Sequence, residues 1–197
     1  MAIANKYLKN FTAFVDGKGF AGNIKSLSLP TLTLKTEDFQ AGGMDAPVSI
    51  EMGQEKMEAS VTLTSFDTLA LAQWGVGEGY TVPLVFKGAL ESMDGSVEAV
   101  NVSMRGKVTA LEFSEWSPGS EATIKLTINL TYYRYEQAGQ TIHEIDVTNM
   151  TRIIGSVDRL AEQRAALGTG ESPSGILDRA QAAIRSVNKV RNALGGL

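Results

Sequence analysis

The sequence predicts a mainly β (α+β) fold, an antiparallel β-barrel or sandwich with a short helix between strands and helices at the C-terminal end. Three observations predict it. Apolar residues recur at every second position between turn signals from Phe11 to Tyr135, the spacing that turns one face of a strand toward a core. Within that stretch Ala122, Ile124, Leu126, Ile128, Leu130 and Tyr132 form an unbroken period-two series. Near the C-terminus the apolar spacing changes to that of a helix.

In chain order, Phe11, Ala13 and Val15 form a strand that turns at Asp16-Gly17-Lys18-Gly19. Leu27 and Leu29 alternate on odd numbers and Leu32 and Leu34 on even ones, so Pro30-Thr31 shifts the phase and requires a bulge or bend. Residues 37–47 are polar and glycine-bearing, too long for a tight hairpin and without helical period. They read as a long loop, a kind of segment that often carries function. Val48, Ile50 and Met52, then Met57, Ala59, Val61 and Leu63, alternate on either side of a turn at 53–56, which predicts a hairpin. Ser65 is placed to cap a short helix with Phe66, Leu69, Ala70 and Gln73 on one face, closed by Gly75 and Gly77. Strands come next at 82–86 and 97–104, the second continuing with a kink through Arg105-Gly106 to Phe113.

The long strand from Ala122 to Tyr132 interleaves its apolar positions with Thr123, Lys125, Thr127, Asn129 and Thr131, so one face is buried and the other wet. At about 3.4 Å per residue such a strand approaches 40 Å, against a usual length of roughly 17–20 Å. That length suits a sheet that continues past one subunit, with copies joined edge to edge. Ser156 is placed to cap a helix bearing Val157, Leu160, Ala161, Arg164 and Leu167 and ended by Gly168. A Gly/Ser/Pro linker at 169–175 then leads to a second amphipathic pattern, with Ile176, Ala180, Ala183, Ile184, Val187, Val190 and Leu194 on one stripe. The chain thus divides into a β domain, residues 1–168, and a linker with an amphipathic helix, residues 169–197. The second part has a net charge of +2 and the first −6.

Composition narrows the function. A net charge of −4 over 197 residues and a pI near 5.1 argue against a basic nucleic-acid-binding surface. The absence of cysteine removes disulfides, thiolate metal sites and a Cys nucleophile. Residues 1–10 lack the apolar run of a signal peptide, and no stretch approaches the roughly 20 apolar residues of a membrane anchor. His143, the sole histidine, lies in a strand-like run at 141–146, and no Gly-x-Ser-x-Gly elbow accompanies it. It reads as a surface residue on an edge strand. The glycine clusters at 75–79 and 106–107 lack the third spacing or the Ser/Thr of phosphate loops and read as turns. Glu112, Glu115 and Glu121, or Glu144 and Asp146, are the carboxylates that could pair as acid and base, although a polar strand face ordinarily carries such residues. No catalytic, cofactor-binding or metal-ligating residue is assigned, and assembly is the function these features leave.

Several stretches resemble the major tail tube protein of P2-like contractile-tailed phages and of R-type pyocins, or tailocins. They are Ser28-Leu29-Pro30-Thr31-Leu32-Thr33, Gly42-Gly43-Met44, Met104-Arg105-Gly106, Thr131-Tyr132-Tyr133-Arg134, Glu144-Ile145-Asp146, Asn149-Met150 and Gly155-Ser156-Val157-Asp158-Arg159-Leu160, in the family's order across Phe11 to Gly168. The resemblance implies a structural subunit without enzymatic activity or cofactor, whose homo-hexameric rings stack into a hollow tube inside a sheath. It also implies sheath, tape-measure and baseplate proteins as partners, transient DNA in the lumen of a phage tube, and a place in the virion after assembly in the host bacterial cytoplasm. On this reading the loop residues Glu37, Asp38, Phe39, Gln40, Gly42, Gly43, Met44 and Asp45 make the contact between rings. Thr123, Lys125, Thr127, Asn129 and Thr131 belong to the intersubunit barrel strand. The alternatives are a type VI secretion tube protein, a monomeric ligand-binding β-barrel and, last, a hydrolase using paired carboxylates.

Overall fold

The computed structural model describes residues 5–169 apart from 16, 20–22, 65 and 78. Its sheet is built around β9 (Ile124–Gln137), which is paired along both edges. On one side runs β8 (Val97–Phe113). The other side is shared: β6 (Met57–Leu63) pairs with the first half, from Leu63↔Ile124 to Met57↔Leu130, and β10 (Gln140–Asp146) with the second, from Asp146↔Tyr132 to Gln140↔Gln137. The sheet therefore forks. Beyond β8 lie β7 (Val82–Ser92), β1 (Lys6–Val15) and the two-residue β2 (Lys18–Gly19). Beyond β10 lie β11 (Thr151–Ile154) and β12 (Val157–Asp158), and beyond β6 lies β3 (Ile24–Ser28). Two short helices complete the described residues, α1 (Thr68–Leu71) and α2 (Ala161–Ala166).

One core joins these branches. Ile124, Leu126, Ile128 and Leu130 of β9 pack with Met57, Ala59, Val61 and Leu63 of β6, while Phe86 of β7, Met104 of β8 and Ala13 of β1 extend the same cluster. Met57, Leu63, Met104, Ile124 and Ile128 are the largest fully buried side chains. Each would cost about 2–5 kcal/mol on truncation to Ala.

The expected kink at Arg105-Gly106 is present as a shift in the β8–β9 register, with Arg105↔Tyr132 succeeded by Gly106↔Leu130. Thr131 is the extra residue, and it reverses the faces of β9 beyond it. Tyr132, expected on the apolar face, instead lies on the polar one, and Tyr133 enters the core at 4% exposure. Gly106 is needed there because a Cβ would sit 2.2 Å from the Asn129 carbonyl oxygen.

Three further expectations are corrected. The strand at 48–54 does not form a hairpin with β6: it pairs with 34–39 in a separate two-stranded sheet, and β6 pairs with β3 and β9. Ser156 caps no helix. It sits in a turn at φ +72° that brings Val157–Asp158 back onto β11, and the helix starts at Ala161. His143 is not on an edge strand, since β10 is paired on both sides, with Tyr135 and Ile154 opposite His143. The second amphipathic segment, from 170 onward, lies outside the described residues, as does Ser65.

This packing makes two outcomes measurable. Gly106→Ala should destabilise the fold by about 1–3 kcal/mol, the usual cost of overpacking, and urea denaturation reads this as a lower midpoint. Burial pushes the Tyr133 phenol up to about 12, with the charge of Tyr135 a second cause. Because the folded value lies above the unfolded value of about 10, this contribution to stability is intact below pH ~10 and lost as the pH rises toward 12. Phenolate absorbance should reveal a late-titrating tyrosine in the wild type that Tyr133→Phe removes.

Candidate assembly interface

Two strands leave the body as an arm: β4 (Leu34–Phe39) and β5 (Val48–Gln54), antiparallel to each other and, among the described residues, paired with no other strand. The phase shift at Pro30 releases the chain from β3, and a bond from the Glu55 N–H to the Thr33 carbonyl, 2.9 Å, closes the base of the arm. Pairs Glu37↔Ile50, Asp38↔Ser49 and Phe39↔Val48 set its faces, because successive side chains alternate. Thr36, Asp38, Ser49 and Glu51 share one face. The Ser49 hydroxyl donates to Asp38 at 2.6 Å, and the Arg152 guanidinium of β11 donates to Glu51 at 2.5 Å, so this face turns toward the body. The opposite face carries Phe39, Val48 and Ile50, each 47–55% exposed, with Glu37 beside Ile50 and nothing among the described residues covering it. Contiguous apolar surface of this kind marks an interaction site.

The expected contact loop divides accordingly. Gln40, Gly42, Gly43, Met44 and Asp45 lie in the connection at the arm's tip, where the Met44 N–H bonds to the Ala41 carbonyl and Gly43 adopts φ +89°. Glu37, Asp38 and Phe39 are strand residues, because each has a partner on β5. The alternation at 48, 50 and 52 is visible in the sequence, but the face it defines does not belong to the core.

A second surface is the polar face of the forked sheet. Ser28, Ser60 and Thr127 lie in one cross-strand row, and Ser26, Thr62 and Lys125 in the next. Asn129 is opposite Glu58. The face also carries ion pairs: Lys125 with Glu112 (3.8 Å) and, farther along β9, Arg134 with Glu136 (2.5 Å) and Glu144 (3.9 Å) and Arg105 with Asp146 (3.8 Å). Tyr132 lies under the Arg105 guanidinium, 4.5 Å from its ring centre, and donates to Glu144 at 2.9 Å. Burial and that carboxylate push its phenol up. Of the carboxylates weighed as an acid–base pair, Glu112, Glu144 and Asp146 are thus engaged in ion pairs on the sheet, and Glu121, in the loop before β9, meets Lys25. Thr123 precedes the strand, its N–H donating to the Ser114 hydroxyl. Since β9 has neighbours on both edges, edge-to-edge joining of copies does not run through it. The longest unpaired edge among the described residues belongs to β1, which meets β2 only at Phe14 and Val15.

Between the arm, β10, β11 and α2 lies a cleft of about 1090 Å³, lined by Leu34, Met52, Ile145, Val147, Ile154 and Leu160, with His143 at its side. Its far wall is held by Asp158. Burial acts against the charge of that carboxyl, but the Arg164 guanidinium at 2.5 Å and the N–H groups of Leu160 and Arg152 outweigh it and keep it below the usual carboxylate range.

The family model of phage tail tube protein FII matches residues 5–168. The tail tube protein of Escherichia phage P2 is 31% identical over 172 residues, spanning 85% of this chain and 99% of that protein. The major tail tube protein of Serratia phage KSP20 is 33% identical over 155 residues, 76% of this chain and 86% of its own. Among solved structures, a chain of the sheath–tube complex of an extracellular contractile injection system (PVC) in its extended state matches with a TM-score of 0.51. It is 13% identical, over 67% of this chain and 91% of that one.

The geometry makes the Arg152–Glu51 pair a tether of the arm. Glu51→Ala should leave the urea midpoint within about 1 kcal/mol of wild type, as for a partly exposed pair, while speeding proteolytic cleavage and amide exchange at 40–47. Unaltered exchange in the arm would show that the tether is not what holds it.

Proposed function

The chain belongs to the phage tail tube protein FII family, a family of structural tube subunits, and from that membership we propose how it assembles. Six subunits form a ring and rings stack into a hollow tube within a contractile sheath. The proposal extends to the chain what its relatives' names say of them, and the fold shared with a sheath–tube complex supports it. The single observation that supports it is the arm, whose Phe39, Val48 and Ile50 are exposed in the lone subunit. The arm and its tip, residues 40–47, reach the adjacent ring.

The polar sheet face, with Lys125, Thr127, Asn129 and Thr131, lines the lumen. Hydroxyls and internally paired charges suit a conduit, because affinity for a polyanion comes from unpaired Lys and Arg that release its counterions. A lining of this kind lets DNA pass without holding it. The subunit performs no catalysis. Its partners are the sheath outside, a tape-measure protein within and baseplate proteins at the end, and its place is the virion, after assembly in the host bacterial cytoplasm. The β domain ends at residue 168, and residues 169–197 are an appendage to it.

Negative-stain microscopy of the purified protein tests the assembly, with rings or tubes expected. Ile50→Asp removes roughly 1.5–3 kcal/mol of apolar burial at every arm contact and puts an unpaired carboxylate there. Because Ile50 is exposed in the subunit, the variant should keep its β circular dichroism and lose its tubes. Tubes of normal length from this variant would remove the arm from the interface.

A further inference from the structure

We propose that α2 is the latch of the arm, holding Arg152 in place through Asp158, so that the arm loosens whenever α2 does. Arg152 reaches from β11 across the cleft to Glu51 of β5, and its side chain is 14% exposed against 43% for Glu51. Arg152 is thus the anchored end of the tether. Its backbone is held at both polar groups by the chain that leads into α2. The N–H donates to Asp158 at 3.3 Å, and the carbonyl accepts from the Arg159 N–H at 2.8 Å.

Asp158 is held in turn by α2. Arg164 donates through Nη2 to Asp158 at 2.5 Å, and through Nη1 to the Met150 carbonyl at 2.8 Å and the Thr151 hydroxyl at 3.4 Å. One guanidinium therefore grips residues 150, 151 and 158 together. Both side chains of the Arg164–Asp158 pair are 19% exposed, so solvent and salt screen the pair less than a surface one. The other Asp158 oxygen also accepts from the Leu160 N–H at 3.0 Å, where α2 begins. Past the helix, the N–H and the hydroxyl of Thr169 donate to the Arg164 carbonyl at 3.0 and 3.2 Å. A continuous line of polar contacts runs from the exit of α2 through Arg164, Asp158 and Arg152 to Glu51. The arm has no sheet neighbour among the described residues to steady it, so this line governs its local opening. A contact that displaced α2 would free the arm, and one that braced α2 would stiffen it. The device belongs to the single subunit and holds whether or not rings form.

Amide exchange of the dilute, unassembled full chain tests the latch. Asp158→Ala should speed exchange across residues 34–54 about fivefold, as much as Glu51→Ala does, because both end the same partly exposed pair. Combining the two should add nothing further in the arm, since each acts through the other. Asp158→Asn keeps an acceptor for the N–H groups of Arg152 and Leu160 but not the charge facing Arg164, and it should lie between wild type and Asp158→Ala. Faster exchange confined to residues 150–169, with the arm at its wild-type rates, would overturn the proposal. So would single effects that sum in the double variant, which would mean that Asp158 steadies the arm by some route other than Glu51. If Asp158→Ala loses its β circular dichroism, Arg164→Met opens the latch from the other side while leaving Asp158 to its backbone donors. It should speed the arm by a similar factor, and an unchanged arm in that variant would overturn the proposal equally.

Discussion

The pairing of β9 along both edges is the constraint on which the rest of the molecule depends. A strand has two rows of backbone hydrogen bonds, and in β9 one row serves β8 while the other is divided between β6 and β10. The division occurs at Leu130 and Tyr132, where Thr131 is the additional residue and Gly106 allows the backbones to meet. A side chain at 106 would push β8 away at the point where all three partners converge. The fork then sets everything outside it: β6 leads back to β3 and the arm, and β10 leads on to β11, β12 and α2. The two branches meet again across the cleft, joined by Arg152 and Glu51.

This arrangement separates two tasks. The forked sheet spends its apolar residues on its own core, so its other face is left to hydroxyls and matched charges. The arm has too few strands to bury anything alone, since a two-stranded sheet is at best marginal in water. Its apolar residues are therefore available to a neighbour. In the proposed assembly the sheet face lines the conduit and the arm makes the contact between subunits.

Much of this is legible in the residues. The phase change at Pro30, the kink at Arg105-Gly106 and the long alternating strand each leave a local signature, a proline, a glycine or a strict period, and each has its counterpart in the fold. The arm is not legible, because Val48, Ile50 and Met52 alternate just as Met57, Ala59, Val61 and Leu63 do. Only the partner differs: one series lies against β9, the other against nothing in the described subunit. Tyr132 and Tyr133 pose a similar ambiguity, since either ring could serve the core and the bulge at Thr131 decides between them. Ser156 looks like a cap by type, but its left-handed backbone makes a turn. Length alone suggests an intersubunit edge for β9, whereas an edge is a matter of topology that length does not reveal.

The N-terminal strand has a consequence for how the chain is made. β1 pairs chiefly with β7, so Lys6 meets Ser92 and Val15 meets Leu84. On the ribosome, at roughly 5–20 residues per second, β1 waits several seconds for its partner to emerge. During that interval Phe11 and Ala13 lack their β7 partners, and among the described residues the same strand keeps much of its outer edge open afterwards. Until β7 arrives, that unpaired edge is open to mispairing with other chains.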